Sequence, residues 1–235
     1  MQITPGTKLL IEGGMARQLK VLTVALASGM PRLGWKIGIN DPAAQQRMGL
    51  DGALVGWLDG RRVFADGATY TPPPQAKPRI EAETAIIVGA DVSAEATLEE
   101  ARAAISSVAA AFEFVNAAKP LTPLDDLLGY DILHDAVMFG PEAPLAQAAG
   151  LGANGLPAIS QNGTVVRNGL SGRYPDDLGE IVLHVAKTLA KHGQELRAGD
   201  RIIGGSYIDP FDIAPKDRIE ADFGPLGKLS FTVAG

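Results

Sequence analysis

The chain has 235 residues and no cysteine, and 27 acidic against 21 basic side chains give it a formal net charge of -6. Disulfides, thiolate metal sites and a cysteine nucleophile are therefore excluded. A composition of 46% hydrophobic and 20% charged residues is typical of a packed globular protein. Because the net charge is negative, we expect neither nucleic acid nor an anionic membrane surface as a partner.

The first residues do not have the pattern of a targeting signal. The segment Met1–Gly14 contains Lys8 and Glu12 inside a short apolar run, and it lacks the basic flank and the long apolar centre of a signal peptide. No other segment approaches the length of a membrane span. These features predict a cytoplasmic protein.

The N-terminal part of the chain predicts one helix followed by a connector. Apolar residues recur at helical intervals over Met15–Gly29, which ends in glycine. Short apolar pieces separated by Gly, Asp and Asn fill Gly34–Asp66, and Thr71–Pro78 is rich in proline, so we expect a connector there. The predicted organisation is a small N-terminal helical lobe and lead-in over residues 1–66 and a catalytic, β-rich domain over residues 67–235.

The rest of the chain predicts a sheet with few helices. Thr84–Val88 has the composition of a strand, whereas the Ala- and Glu-rich Thr97–Ala118 and the amphipathic Asp176–His192 predict helices. Short β-like runs follow Pro120, at Ala136–Phe139, Thr164–Val166, Arg201–Ile203 and Lys228–Val233. Many short strands with few helices predict a mixed α/β, β-rich domain built on a curled β-sheet.

Two glutamates at the start of a predicted strand are candidate metal ligands. Glu81 and Glu83 lie two positions apart, so the period of a strand directs both side chains to one face. Neighbouring carboxylates repel each other unless they are solvated or share a cation, and Mg2+ or Mn2+ favours such oxygen ligands. A solvated strand end is the commoner explanation of such a pair, so the pair alone does not establish a metal site.

Glu113 is a third candidate ligand because it interrupts the apolar run Val108–Val115. A charged side chain is excluded from a core unless it is paired or bound to a metal. The alternative is a glutamate on the solvated side of a helix. The residues by themselves leave both interpretations open.

Six motifs follow one another along the chain. They are Gly34–Ile39 (GWKIGI), Pro78–Glu83 (PRIEAE), Ala111–Val115 (AFEFV), His134–Pro141 (HDAVMFGP), Leu196–Ser206 (LRAGDRIIGGS) and the closing Ile219–Gly227 (IEADFGPLG). In combination they resemble the fumarylacetoacetate hydrolase superfamily, and within it the branch of the 2-oxopent-4-enoate hydratases and 4-oxalocrotonate decarboxylases.

The resemblance implies a curled mixed β-sheet of the type found in the C-terminal domain of that superfamily, with Mg2+ or Mn2+ on three carboxylates. By position, Glu81 and Glu83 match the E-x-E ligand pair, Glu113 matches the third acidic ligand, and Lys36 matches the lysine of the G-x-K-x-G motif. A partly desolvated lysine beside a metal is expected to have a lowered pKa and to relay protons, which makes Lys36 the candidate catalytic residue.

Four further residues are candidates for substrate binding. Asn40 stands where the branch usually has Thr and retains a hydrogen-bond donor, and His134 matches a histidine found in part of the group. Gly205 and Ser206 follow the predicted strand 201–203, where a glycine pair permits close approach of a ligand. A structural histidine and an ordinary turn serine remain alternatives for His134 and Ser206.

The chain also departs from the pattern of the branch. Asn116 stands where many relatives have an acidic residue, Tyr130-Asp131 replaces the usual Asp-Asn pair, and Arg173-Tyr174-Pro175 replaces a Gly-His-Pro segment. No histidine precedes His134, which disfavours the hydrolysis of carbon–carbon bonds found elsewhere in the superfamily. These changes bear on the reaction more than on the metal site.

The predicted function is that of a lyase. We expect a hydratase that adds water to a small unsaturated 2-oxo or 2-hydroxy-dienoic acid through a metal-stabilised enolate. The alternatives are a decarboxylase of an oxalocrotonate-like acid, and a repurposed keto-acid-binding or biosynthetic protein of the same fold. Relatives are commonly homo-oligomers, so a homo-oligomer is expected here.

Overall fold

The fold is described from a computed structural model that covers residues 3–235. The helices are α1 (Pro5–Ala27), α2 (Pro42–Met48), α3 (Leu98–Ala103), α4 (Leu124–Gly129) and α5 (Gly179–Lys191). The strands are β1 (Arg32–Gly38), β2 (Leu54–Asp59), β3 (Val63–Phe64), β4 (Thr69–Tyr70), β5 (Pro78–Val88), β6 (Ile105–Asn116), β7 (His134–Ala143), β8 (Ala158–Gln161), β9 (Thr164–Asn168), β10 (Arg201–Ile203), β11 (Phe211–Asp212), β12 (Arg218–Asp222) and β13 (Lys228–Val233). Between Ile3 and Gly235, no helix is long and apolar enough to cross a membrane.

Two sheets form the molecule. The larger has eight strands in the order β2-β1-β10-β5-β6-β7-β3, with β11 added to β5, and the smaller has the order β4-β13-β12-β8-β9. The large sheet curls so strongly that β2, the first strand in this order, approaches β7 near the other edge. The backbone N–H of Asp59 on β2 donates to His134 at the start of β7 over 3.3 Å. The prediction of a β-rich fold built on a curled mixed sheet is therefore confirmed.

The faces of the curled sheet bury different side chains. The outer face packs against the smaller sheet through an aromatic cluster, in which the Phe112 and Phe114 rings lie 5.4 and 4.8 Å from the Phe231 ring. The inner face encloses a second, smaller apolar cluster that includes Leu58, Ala111 and Ile203. The remainder of the inner face carries the ionisable side chains described below.

The longest predicted helix is wrong over most of its length. A capping box at Thr97 begins α3, as the pattern predicts, but the helix ends at Ala103 and the chain continues as β6. Alanine favours helix only weakly, and pairing overrides it here because β6 lies between β5 and β7 with both faces buried. The β-branched and aromatic residues from Ile105 to Val115 were the contrary signal.

The N-terminal predictions also need correction. Helix α1 begins at Pro5 rather than at Met15, because Thr4 caps it by accepting from the Thr7 N–H over 3.1 Å and proline occupies the first turn. The segment 34–66 is not a connector, since most of β1 and all of α2, β2 and β3 lie in it. Strands from both sides of residue 66 share the large sheet. The division into a lobe over 1–66 and a domain over 67–235 remains a prediction.

Candidate metal centre

Three glutamates converge on the inner face of the curled sheet. Glu81 and Glu83 project from β5, and Glu113 lies directly opposite Glu81 on β6 in the antiparallel register. Each offers one carboxylate oxygen, and these oxygens lie within 4.8 Å of one another. The predicted three-carboxylate cluster is thus assembled from a central strand pair rather than from a strand and a helix.

The cluster lacks the partners that buried carboxylates need. The side chains of Glu83 and Glu113 are fully buried, and Glu83 Oε1 and Glu113 Oε2 accept no hydrogen bond from any described residue. A buried charged oxygen without a partner is strongly unfavourable, and a hard divalent cation supplies the missing interaction. The donor set therefore fits Mg2+ or Mn2+ by its own chemistry.

Burial and neighbouring charges shift the pKa values of the three glutamates in different directions. Burial and the charge of Glu113 raise the pKa of Glu81 to about 7, and burial with both other carboxylates raises the pKa of Glu83 well above its ordinary value. Burial also opposes ionisation of Glu113, but Lys36 and His134 outweigh it and lower the pKa of Glu113. A cation that binds here has to displace protons held by Glu81 and Glu83.

Lys36 and His134 hold Glu113 from behind. The Lys36 ammonium donates to Glu113 Oε1 and, over 3.1 Å, to the carbonyl oxygen of Ile132. His134 Nδ1 lies 2.7 Å from the same Oε1, while its Nε2 accepts from the Asp59 N–H. The imidazole proton is therefore on Nδ1 and is donated to Glu113. Both contacts fix Oε1 and leave Glu113 Oε2 without a hydrogen-bond partner among the described residues.

The sequence predicts a lowered pKa for Lys36, but its surroundings in the structure raise the pKa. Burial lowers the pKa of Lys36, but the attraction of Glu113, Glu81 and Asp131 is larger in sum and raises it above the ordinary value. Surrounded by these carboxylates and without a bound metal ion, Lys36 is therefore a charged ammonium group. Its side chain lines a cavity of about 440 Å³ together with Glu81, so it can still reach a bound molecule.

The predicted substrate-binding residues lie behind the glutamates rather than along the cavity. The Gly205 N–H donates to Glu83 Oε2 over 2.7 Å, and Asn40 Nδ2 donates to the carbonyl oxygens of Arg173 and Ser206. The Ser206 hydroxyl is used within its own turn, in which it donates to the Ile208 carbonyl. Gly205 and His134 therefore contact the glutamates directly, whereas Asn40 and Ser206 make hydrogen bonds within the neighbouring turn. None of the four lines the 440 Å³ cavity.

Gly205 has a backbone reason to be glycine. Its φ is +95°, and a Cβ atom would lie 2.5 Å from Asn40 Cγ. Only glycine adopts this conformation without strain and allows Asn40 so close. The turn that aims an N–H at Glu83 therefore depends on this residue.

Sequence reasoning assigned no role to two groups that the structure places at the site. Asp131 is buried behind Lys36, where its carboxylate accepts from the Trp57 N–H over 2.9 Å, and its pKa is raised well above the ordinary value chiefly by burial. Arg173 lies close enough to Glu81 to lower its pKa. Both fall at positions where the chain departs from the pattern of the branch, and that departure was the only available signal.

A strained turn brings Asp131 and the Ile132 carbonyl to Lys36. Asp131, Ile132 and Leu133 have φ values of +52°, +49° and +67°. The left-handed region costs about 1–2 kcal/mol for an ordinary residue, and it is rarer still for a β-branched one such as Ile132. Gly56 permits the approach on the other side, because a Cβ there would lie 2.6 Å from Asp131 Oδ1. Strained residues of this kind cluster at functional sites in proteins.

The chain has relatives along nearly its whole length. No protein-family model matches it. It is 24% identical over 225 residues to a 4-oxalocrotonate decarboxylase of a Pseudomonas species, a match that covers 94% of this chain and 86% of the relative. It is 25% identical over 207 residues to a 2-keto-4-pentenoate hydratase of Paraburkholderia xenovorans strain LB400, with coverage of 87% and 77%.

Solved structures agree with these relatives. The 4-oxalocrotonate decarboxylase from Pseudomonas putida G7, complexed with magnesium and adipate, matches with a TM-score of 0.81 and 22% identity, over 92% of this chain and 83% of that one. The chain is therefore a homologue of the 4-oxalocrotonate decarboxylases and 2-keto-4-pentenoate hydratases, and its fold is that of the fumarylacetoacetate hydrolase superfamily, as the motifs predict.

Proposed function

We propose that the protein is a divalent-metal-dependent lyase that hydrates a small unsaturated 2-oxo acid. The observation that carries this proposal is the convergence of Glu81, Glu83 and Glu113, with buried oxygens of Glu83 and Glu113 that no described residue satisfies. Relatives named for hydration and for decarboxylation of 2-oxo acids support the reaction class. Decarboxylation of an oxalocrotonate-like acid is the second candidate, because both reactions pass through an enolate.

The three glutamates would hold the metal, and Mg2+ or Mn2+ suits their oxygen donors. When bound, the ion supplies a Lewis acid for the 2-oxo group of the substrate. Structures related in fold contain magnesium, calcium or manganese, which supports a divalent ion in general. A cytoplasmic location, which rests on the sequence, and a homo-oligomeric state, which rests on the resemblance to the superfamily, are part of the same proposal.

Lys36 is the proposed catalytic residue. Its Nζ is charged, buried and close to Glu81 at the inner end of the cavity, so it can stabilise negative charge that develops on the substrate oxygen. As an ammonium group it can also give a proton to the carbon chain and take one back. Glu113 and the Ile132 carbonyl hold Nζ in place for this step.

Product analysis tests the reaction. We would incubate the Mg2+-loaded protein with 2-hydroxypenta-2,4-dienoate and with 4-oxalocrotonate, and follow the products by mass. Gain of water supports the hydratase, whereas loss of carbon dioxide supports the decarboxylase. If neither substrate is converted although the protein binds Mn2+ and oxalate, the repurposed keto-acid-binding protein becomes the better description.

Glu113→Gln is the control for a metal mechanism. The amide keeps the size of the side chain but loses the charge, so metal binding and turnover should be lost together. Turnover that survives this change without bound metal would refute the proposed function.

A further inference from the structure

The cavity beside the metal cluster has a charged inner end and a basic outer part. Lys36 and Glu81 lie at its inner end, and Arg79 and Lys119 are the other charged residues in its walls. Most of the remaining wall is apolar, from side chains such as Val115, Leu121, Leu127 and Leu133. Among the described residues that line the cavity, Glu81 is therefore the only acid against three cations.

Arg79 is placed by the strand that carries the ligands. It lies two residues before Glu81 on β5, so both side chains project from the same face and their Cα atoms are roughly 7 Å apart. Its acidic partner is Asp212 at 2.6 Å, and the two side chains are 43% and 77% exposed. An exposed pair of this kind contributes little, so the guanidinium is available to a ligand.

Lys119 is not committed to any acid. None of the salt bridges formed within residues 3–235 includes it. Its ammonium instead lies 5.0 Å from the centre of the Tyr130 ring, at a distance that allows a cation–π contact. The chain therefore presents a second positive group to the same cavity without a counter-charge.

The inner cation is paired with a buried acid, and the outer two are not. Lys36 is paired with Glu113, which leaves Arg79 and Lys119 without a buried carboxylate to balance them. A substrate ending in a methyl group would give these cations nothing to bind, whereas a second carboxylate would accept charge-assisted hydrogen bonds from both. Both classes occur among the relatives, since oxalocrotonate has two carboxylates and pentenoate has one.

We propose that the substrate is a 2-oxo dicarboxylic acid whose second carboxylate is bound by Arg79 and Lys119. This assignment rests on the proposed function, because the metal cluster has to bind the 2-oxo acid end. It narrows that function to acids that are charged at both ends.

Binding of matched, unreactive acids tests the assignment. We would measure by calorimetry the affinity of the Mg2+-loaded protein for 2-oxoadipate, for 2-oxohexanoate and for oxalate. The first two have equal chain lengths and differ in the far carboxylate, and oxalate engages only the metal. We expect 2-oxoadipate to bind at least about tenfold more tightly than 2-oxohexanoate, which is the lower bound for a hydrogen bond to a charged group.

Variants locate the source of the preference. Lys119→Met and Arg79→Met should each reduce the ratio of the two affinities, and Lys119→Glu should reduce it further. Lys77→Met is the matched control, since it removes the same charge from a lysine near the start of β5 that does not line the cavity. The control should retain the ratio of the unaltered protein.

The outcomes separate the two proposals. Equal affinity for both six-carbon acids in a protein that binds oxalate would overturn the dicarboxylate assignment and leave the proposed function intact. An unchanged ratio in the double variant Arg79→Met/Lys119→Met would overturn the assignment in the same way. Failure to bind oxalate in the presence of Mg2+ would overturn the proposed function and the assignment with it.

Discussion

The two faces of the β5–β6 strand pair are both largely buried and are chemically opposite. On the outer face, Phe112 and Phe114 pack against the aromatic side chains of the smaller sheet. On the inner face, the alternate positions carry Glu81, Glu83 and Glu113. One backbone ladder thus supports both a hydrophobic core and a cluster of like charges.

The contrast between the faces explains how the fold tolerates the cluster. Burial of the aromatic face stabilises the chain by roughly 25 cal/mol for each Å² of apolar surface removed from water. The acidic face opposes folding, because like charges repel and Glu83 and Glu113 each have a buried oxygen without a partner. In the metal-free protein, the stabilisation from the buried aromatic face therefore has to offset the destabilisation from the acidic face.

Removal of the Lys36 ammonium group from the inner face should have the largest of the expected effects, on turnover. Lys36→Met should lower kcat by about 100- to 10,000-fold, as loss of a general acid–base group does. Metal affinity should not weaken, because the variant removes a positive charge beside the glutamates. Steady-state kinetics with a parallel Mn2+ titration measures both. A variant with normal kcat would exclude Lys36 from catalysis.

The outer face is tested by Phe112→Ala. Truncation of this fully buried ring should lower the free energy of unfolding by about 3–5 kcal/mol. Denaturant unfolding measures the loss, and Phe112→Leu should show a smaller one. Molecules that remain folded should keep their Mn2+ affinity, because the ring points away from the glutamates. A selective loss of metal binding would show that the faces are not independent.

Glu83→Gln separates stability from function on the inner face. The change should weaken Mn2+ binding by at least about 100-fold, the upper end of the effect of losing a residue that only supports a ligand. It should also raise the stability of the metal-free protein, by about 1 kcal/mol, because it relieves repulsion. Calorimetry and thermal unfolding without metal test the two parts. A destabilised metal-free variant would contradict the repulsion.

A pH dependence of stability should be the weakest of these effects. The folded pKa of Glu81, about 7, lies above its ordinary value of 4.5, so its contribution to stability is full below pH 4.5 and is lost as the pH rises through 7. The melting temperature of the metal-free protein should fall by a few degrees between pH 5 and pH 8. In Glu81→Gln the fall should be smaller. Saturating Mn2+ should stabilise most at the higher pH, since fewer protons compete.

The metal cluster was predictable from the sequence only in part. The spacing of Glu81 and Glu83 indicates one strand face, and Glu113 stands out as a charge in an apolar run. The alanines around Glu113 favour a helix, which is wrong, because the β-branched and aromatic residues beside it form β6. Local propensity could not show that β6 lies between two other strands.

The supporting residues were less predictable. Substrate contact by Asn40, His134, Gly205 and Ser206 stays a prediction, and the structure adds the hydrogen bonds that each of them makes to the protein. A motif identifies the residues near a site without giving the direction of their side chains.

Composition and local periodicity were enough to establish the absence of thiol chemistry, the β-rich fold class and three acidic residues with the spacing and surroundings of metal ligands. Three features came from the folded chain alone. Glu81 faces Glu113, Lys36 is held as an ammonium group, and two further cations share a cavity with them. Such features depend on strand register and on the curl of the sheet, which join residues far apart in the chain.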